Sequence, residues 1–182
     1  MKIIKRVVSF LEKRIVKYPL FFRLYSYPYK NILKKEIALA DISKKDRVLN
    51  IGCGSVPFSA IYTAQLTGAN VFGIDIDEEA CNKAVDLVRR LDLENKLKIF
   101  VDNGVTVDPS GYTVILIALQ AAPKKDILQN LLQNADKGTR IIFRIPRHCF
   151  ENQYGNLPKN CSIQESTKQL MLTFDKSVLL IK

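Results

Sequence analysis

Short apolar runs alternate with longer amphipathic segments along most of the chain after residue 46. The short runs predict strands, and the longer segments, whose apolar residues recur at helical spacing, predict helices. The predicted strands cover residues 47–51, 71–74, 97–101, 113–118 and 140–145, and the predicted helices between them cover 57–66, 78–91 and 124–134. Such alternation is typical of a parallel sheet with helices on its faces.

The end of the chain has a different pattern. Two apolar segments, 169–174 and 177–181, are separated by Asp175 and Lys176, which predicts a closing antiparallel hairpin. Only the link 103–112 between the third and fourth strands lacks a helical pattern. Together these patterns predict a Rossmann-like, doubly wound α/β sheet of about seven strands, parallel apart from the C-terminal hairpin.

The first 45 residues predict a helical arm. Residues 1–18 repeat apolar positions at helical spacing, Pro19 and Pro28 interrupt the pattern, and a helix resumes over 31–40. At 182 residues the chain is long enough for one well-buried domain. We therefore treat the arm, 1–45, as part of the same domain as the Rossmann-like region, 46–182.

The amino-acid composition indicates a globular protein and argues against a zinc-binding or membrane-spanning one. A hydrophobic content of 47% and a charged content of 25% are ordinary for a globular protein. Four isolated cysteines and a single histidine, His148, argue against a structural zinc site, and we predict no bound metal. No apolar stretch approaches the roughly 20 residues that span a bilayer, and we expect a cytoplasmic protein.

Positive charge is concentrated in the arm. Residues 1–47 carry 13 Lys or Arg and 4 Asp or Glu, whereas the rest of the chain carries 15 and 14. The first helix is therefore basic and amphipathic, and it could meet an anionic surface, either lipid or RNA. Alternatively its apolar stripe packs on the domain and its lysines are solvated. The sequence leaves the oligomeric state open.

A glycine turn follows the first predicted strand. Gly52 and Gly54 let the backbone turn tightly and approach a ligand, and the helix that follows offers unpaired N–H groups. The third glycine of the dinucleotide pattern G-x-G-x-x-G is replaced here by Pro57. The turn therefore predicts a ligand that contains a nucleotide. Because Pro57 replaces the third glycine, NAD is less favoured than other nucleotide cofactors.

The ends of the neighbouring strands supply the rest of the predicted pocket. Asp75 ends the second strand and can accept from ribose hydroxyls, and Asp102 follows the third strand, where it can contact an adenine edge. Asn50 lies just before the turn on the first strand. These positions suit an adenosine-containing ligand.

With these residues the chain resembles the class I S-adenosylmethionine-dependent methyltransferases over roughly residues 46–146 and the final hairpin. The resemblance implies S-adenosylmethionine as cofactor, with Gly52 and Gly54 along its methionine part, Asp75 on the ribose and Asp102 at the adenine amine. Asn50 stands where that family usually has a carboxylate, which implies a weaker contact to the cofactor's amino group.

A second resemblance is to the nicotianamine synthases, which have the same fold and transfer aminopropyl groups. The segment Gly52-Cys53-Gly54-Ser55-Val56-Pro57 is similar to their G-x-G-x-x-P pattern, and Tyr27-Pro28-Tyr29, Asn31 and Glu36 are similar to a stretch upstream of it. The resemblance therefore implies a transferase that uses the same cofactor.

An amine acceptor must lose a proton before it attacks a sulfonium, so a base is expected near the cofactor. Our candidates are Tyr29, Glu36 and His148; alternatively these are a core aromatic, a surface acid and a loop histidine. Arg144 and Arg147, near the end of the fifth strand, are candidates for holding an acceptor carboxylate.

The leading prediction is an S-adenosylmethionine-dependent transferase, of methyltransferase type, acting on a small amine- or carboxylate-bearing acceptor. Aminopropyl transfer is an alternative, because it uses the same sulfonium with a different carbon attacked. Two less favoured functions are an NAD-dependent oxidoreductase and a non-catalytic binding module that attaches to lipid or RNA through its basic arm. The sequence does not name the acceptor.

Overall fold

A computed structural model of the protein describes residues 27–158 and 161–182. Seven strands form one sheet in the order β3-β2-β1-β4-β5-β7-β6, which confirms the predicted fold class. The strands are β1 Arg47–Ile51, β2 Asn70–Asp75, β3 Leu97–Val101, β4 Val114–Ile117, β5 Arg140–Pro146, β6 Glu165–Lys168 and β7 Phe174–Ile181. The first five strands pair in parallel, and β7 pairs antiparallel with both β5 and β6.

Helices cover both faces of the sheet. They are α1 Tyr27–Leu39, α2 Phe58–Thr67, α3 Glu78–Arg90, α4 Lys124–Asn134 and the short α5 Glu151–Tyr154, which follows a 3₁₀ turn at His148–Phe150. Because side chains alternate along a strand, β1 directs Val48 into the core under α1, α2 and α3, and Leu49 into the core under α4. No helix among the described residues is long and apolar enough to cross a bilayer.

The predicted position of the terminal hairpin is wrong. Its first strand is Glu165–Lys168 rather than 169–174, and Asp175 and Lys176 belong to β7 instead of a turn. The short strand β6 is polar because it forms the edge of the sheet, so it has no apolar signal. The apolar residues Leu170 and Leu172, which suggested a strand, lie in the connecting loop.

The arm differs from its prediction at Pro28. The helix α1 already includes Tyr27 and Pro28 and runs without interruption to Leu39. Proline is tolerated in the first turn of a helix, where its missing N–H has no partner to lose. The predicted amphipathic helix over residues 1–18 lies outside the described residues.

A buried ion pair joins α1 to the sheet. Arg144 of β5 donates from Nε and Nη2 to the two carboxylate oxygens of Glu36, each at 2.8 Å, and both side chains are buried. Ser177 Oγ donates to Glu36 Oε1 at 2.7 Å, and Arg144 Nη2 also donates to Ser59 Oγ at 2.9 Å. Burial alone would lower the pKa of Arg144, but the charge and hydrogen bonds of Glu36 outweigh it and raise that pKa.

The other end of α1 is held by Arg140. Its guanidinium donates to the carbonyl oxygens of Ala40 and, at 2.9 Å, of Asp41, which follow the helix, and it forms an ion pair with Asp46. The Asp46 carboxylate also accepts from Thr113 Oγ1 at 2.7 Å, next to β4. Two arginines of β5 therefore fix α1 along its length.

We expect Arg144→Met to lower the free energy of unfolding by about 3–5 kcal/mol, because it leaves the buried Glu36 carboxylate without its cation. Urea denaturation followed by circular dichroism measures the change. The matched control is Arg89→Met, which breaks exposed pairs with Asp86 and Glu94 and should cost under about 1 kcal/mol. Equal losses in the two variants would contradict a structural role for the buried pair.

Candidate active site

A cavity of about 300 Å³ opens at the carboxyl ends of β1 and β2. This is the edge where parallel α/β sheets bind ligands, beside the point at which the strand order reverses. Its walls come from the ends of three strands and from the loop between β4 and α4. The lining residues are Ile51, Gly52, Gly54, Ile74, Asp75, Ile76, Asp102, Asn103, Gly104, Gln120, Ala121, Ala122 and Ile127.

The glycine turn forms the floor between β1 and α2. Gly52 and Gly54 have φ of +76° and +66°, in the left-handed region that favours glycine. A Cβ on Gly52 would lie 2.9 Å from that of Ala121, so this glycine is needed for close packing against the β4–α4 loop. A Cβ on Gly54 would meet no protein atom within 4 Å, so its exposed backbone faces open space.

Asp75 connects this turn to β2. Its Oδ2 accepts from the backbone N–H of Gly54 at 2.8 Å, and its Oδ1 accepts from that of Asp77 at 3.1 Å. Each carboxylate oxygen can accept more than one hydrogen bond, so Asp75 retains capacity for a ligand. Burial, followed by the Asp75 charge, raises the pKa of the Cys53 thiol to about 12, so the turn offers no thiolate at neutral pH.

Asp102 follows β3 and lines the same cavity. Its backbone N–H donates to the carbonyl of Asp75 at 3.0 Å, which aligns the ends of β2 and β3. Its Oδ1 accepts from the backbone N–H of Asn103 at 2.7 Å, and the side chain is exposed. The structure thus brings Gly52, Gly54, Asp75 and Asp102 to one cavity, as their positions at strand ends predict.

Asn50 is buried behind the turn and does not line the cavity. Its Nδ2 donates to the carbonyl of Leu116 at 3.3 Å, while its Oδ1 has no hydrogen-bond partner among the described residues. A buried acceptor without a partner is uncommon in proteins. The structure therefore places Asn50 outside the cavity, unlike the other four predicted cofactor-binding residues.

The three candidate bases do not line the cavity. The ring of Tyr29 stacks on that of Phe58, the first residue of α2, with centroids 4.9 Å apart. Glu36 is the partner of Arg144, so proton transfer at Glu36 would first require that ion pair to open. The His148 side chain is 96% exposed, and its Nδ1 lies 3.5 Å from Glu151 Oε2. Arg144 is likewise engaged by Glu36 and unavailable to an acceptor.

Two residues at or beside the cavity are not among our predicted site residues. Ile76 is 69% exposed and lines the cavity. In the sequence it is the one apolar residue of the otherwise acidic segment 75–79, and that contrast could have identified it as a site residue. Lys124 is buried at the start of α4, and a lysine there looks like any other helix-start residue in the sequence.

Lys124 does not line the cavity but is hydrogen-bonded to the β4–α4 loop, which does. Its ammonium group donates to the carbonyl oxygens of Leu119 and, at 3.4 Å, of Ala118, in the β4–α4 loop. The same group lies 5.3 Å from the ring centroid of Phe143. Burial, and then the charge of Arg144, lower the pKa of Lys124 to about 8.

Three comparisons relate this arrangement to known proteins. The family model of protein-L-isoaspartate (D-aspartate) O-methyltransferase matches residues 26–173. The chain is 29% identical over 120 residues to L-histidine 2-aminobutanoyltransferase of Yersinia pestis, covering 66% of this chain and 45% of that protein. It is 36% identical over 113 residues to the enzyme of that name from Pseudomonas aeruginosa strain UCBPP-PA14, covering 62% and 43%. The chain spans less than half the length of these relatives.

Solved structures share the fold. A mutant of MtNAS in complex with S-adenosylmethionine superposes with a TM-score of 0.84 at 20% identity, over 96% of this chain and 71% of that one. An RNA methyltransferase from Salinibacter ruber in complex with S-adenosylhomocysteine gives a TM-score of 0.67 at 18% identity, over 83% and 90%. The predicted class I S-adenosylmethionine-dependent methyltransferase fold is confirmed, and with it the cofactor class of that fold.

The lowered pKa of Lys124 predicts a pH dependence of stability. Between about pH 8 and the ordinary lysine pKa of 10.5, the unfolded chain holds more protons at this position than the folded chain. Stability should therefore rise with pH across this window, and Lys124→Met should remove that rise. Urea midpoints of the wild type and the variant, measured at several pH values, test this.

The control for this experiment is Lys125→Met, which removes an exposed lysine at the next position. Its pH profile should follow that of the wild type. If Lys124→Met also follows the wild-type profile, Lys124 does not have a lowered pKa.

Proposed function

We propose a function for this chain, which belongs to the protein-L-isoaspartate (D-aspartate) O-methyltransferase family. The chain transfers a carbon group from S-adenosylmethionine to a small acceptor. The observation that carries the proposal is the cavity where the Gly52–Gly54 turn, Asp75 and Asp102 meet. This set contains an exposed glycine backbone and acceptors at two strand ends. Those are the groups that a nucleoside with a charged amino-acid tail requires.

The residues present fit this cofactor. Asp75 keeps free acceptor capacity for ribose hydroxyls, and Asp102 is exposed at the end of β3 for an adenine edge. Ile76 adds an apolar surface to the same cavity, on which a base can pack.

When bound, S-adenosylmethionine supplies a sulfonium whose attached carbons are electrophilic. The protein then needs mainly to align the acceptor, since the departing thioether is neutral. Gly52 and Gly54 hold the turn open for the cofactor, while Lys124 holds the β4–α4 loop that forms the facing wall. The buried pair of Glu36 and Arg144 fixes α1, and with it Tyr29, beside the start of α2.

We infer that the group transferred is the four-carbon aminobutanoate chain of the cofactor and that the acceptor is an amino acid. The acceptor amine, after losing its proton, attacks the chain carbon bonded to sulfur, that S–C bond breaks, and methylthioadenosine leaves. Relatives identified by sequence are named L-histidine 2-aminobutanoyltransferase, which combines a four-carbon aminobutanoic acid unit with an amino acid as acceptor. An amino acid also meets our expectation of an acceptor that bears an amine and a carboxylate. Transfer of a methyl group is the second candidate, and the methyltransferase family to which the chain belongs supports it.

The cofactor site can be tested with a matched pair of glycine variants. Gly54→Ala adds a methyl group in open space at the cavity, whereas Gly111→Ala adds one in open space elsewhere, at a similar φ of +74°. Both should lose about 1–2 kcal/mol of stability from the left-handed backbone. Only Gly54→Ala should weaken S-adenosylmethionine binding, by about tenfold or more, as measured by calorimetry. Equal affinities in the two variants would contradict the assignment of the cavity.

The transferred group can be identified from the thioether product. The full chain is incubated with S-adenosylmethionine and L-histidine or other amino acids, and the products are separated by mass spectrometry. Methylthioadenosine together with an acceptor that has gained the cofactor's aminobutanoate chain, bonded through the carbon that was attached to sulfur, is the expected result. S-adenosylhomocysteine would instead indicate methyl transfer.

Two control samples, one without protein and one with the Gly54→Ala variant, are incubated in the same way. The product formed in them measures spontaneous breakdown of the cofactor and is subtracted. If the cofactor binds and no product forms with any amino acid, the acceptor class is wrong while the cofactor site stands. If the cofactor does not bind, the transferase proposal itself fails.

A further inference from the structure

The loop between β6 and β7, residues 169–173, exposes two leucines. Leu170 is 91% exposed and Leu172 is 87% exposed, the highest fractions among the large apolar side chains of the described residues. Between them Met171 packs against the core. We call residues 169–173 the apolar loop. Neighbouring apolar side chains this exposed indicate an interaction site more often than a single exposed leucine does.

The apolar loop is held firmly in this position. Gln169 is buried, its Nε2 donates to Ser177 Oγ at 3.2 Å, and its backbone N–H donates to the carbonyl of Asp175 at 2.7 Å. Arg147 donates from Nε to the carbonyl of Met171 at 2.8 Å and from its backbone N–H to that of Thr173 at 3.0 Å. The leucines are thus presented to solvent by an anchored loop.

Cations surround the apolar loop. Lys168 precedes it and lies opposite Lys176 in the β6–β7 ladder. Lys35 of α1 donates to the carbonyl of Lys168 at 2.8 Å, and the guanidinium of Arg147 bonds to the loop itself. These four side chains are exposed, and Asp175 is the exposed acid that follows the loop. The surface combines two protruding leucines with a surplus of positive charge.

The apolar loop and the cavity lie at the same edge of the sheet. Because β7 is antiparallel to β5, its first residue, Phe174, pairs with Pro146 at the carboxyl end of β5. The cavity lies at the carboxyl ends of β1 and β2 in the same sheet. Three strand spacings, about 14 Å, separate β1 from β7. A surface that binds the apolar loop would therefore lie beside the cavity.

We propose that the apolar loop docks on an anionic lipid surface, with Leu170 and Leu172 inserted at the boundary of head groups and acyl chains. Exposed apolar side chains and neighbouring lysines or arginines are the two contributions that attach a protein to such a surface. RNA is a poorer fit because leucine offers no ring on which a base can stack. A two-fold dimer through this surface would bring the same four cations of each copy together.

A tryptophan reporter tests the insertion directly. The chain has no tryptophan, so Leu172→Trp introduces a single indole into the apolar loop. Vesicles of phosphatidylcholine with phosphatidylglycerol should shift its emission to shorter wavelength, and vesicles of phosphatidylcholine alone should not. The control is Ile163→Trp, at an apolar residue that is 50% exposed and lies before β6, at the other edge of the sheet. An equal shift in both proteins, or in neither, would overturn the proposal.

Sedimentation with the same vesicles measures the contribution to affinity. The full-length double variant Leu170→Gln/Leu172→Gln should bind anionic vesicles about tenfold more weakly or worse. The pair Lys168→Gln/Lys176→Gln should bind about fivefold more weakly for each lysine, and added salt should weaken wild-type binding. Unfolding midpoints and calorimetric binding of S-adenosylmethionine should match the wild type, because these side chains are exposed.

Two results would overturn the proposal here as well. If the leucine variant binds anionic vesicles as the wild type does, another part of the chain, such as the basic segment 1–18, provides the attachment. If the wild type binds single-stranded RNA and not the vesicles, the positive surface serves a different partner. Neither result bears on the cofactor site, which is assayed without vesicles.

Discussion

The tight exit of the chain from β1 is the constraint on which the rest of the site depends. β1 is paired on both sides, with β2 and β4, so the chain can leave it only over the carboxyl edge of the sheet. The backbone N–H groups of Gly52 and Cys53 both donate to the carbonyl of Ile74, at 2.9 and 3.0 Å. Gly54 then donates to Asp75. The turn is thereby attached to β2, and the cavity follows from that attachment.

Close approach between this turn and the β4–α4 loop completes the cavity. Gly52 leaves no room for a side chain against Ala121, and Lys124 holds the same loop through the carbonyl oxygens of Ala118 and Leu119. A buried lysine that is hydrogen-bonded to carbonyls keeps an irregular segment in one conformation. The wall facing the turn is therefore rigid although it contains no regular secondary structure.

Polar groups buried between α1 and the sheet fix the position of α1. Burying a charge is unfavourable unless it is paired and hydrogen-bonded, and Glu36 meets both conditions through Arg144 and Ser177. Such a pair specifies one position of α1 more strictly than apolar contacts would, because a shifted helix would leave both charges unpaired. Glu36, one of our candidate bases, thus has a structural partner that the sequence did not suggest.

The carboxyl edge of the sheet combines these features with the apolar loop. β7 returns antiparallel, so the connection from β6 emerges at the edge that also carries the glycine turn and Asp75. The cavity and the exposed leucines consequently lie along the same edge of the sheet. The topology of the last hairpin, rather than any local preference of its residues, produces this arrangement.

The sequence by itself determined the class of fold and four of the residues that line the cavity. The spacing of apolar residues is a local property of the sequence, and it predicted β1, β3 and α4 at their observed bounds. It also placed the two glycines and two aspartates of the cavity at the ends of strands. Only the tertiary structure decided the place of β6, a polar edge strand without an apolar pattern, and the burial of Glu36 and Lys124. Arg144 lies 108 residues from Glu36 in the chain. Burial of a charged side chain depends on which distant elements pack around it, and no local pattern records that.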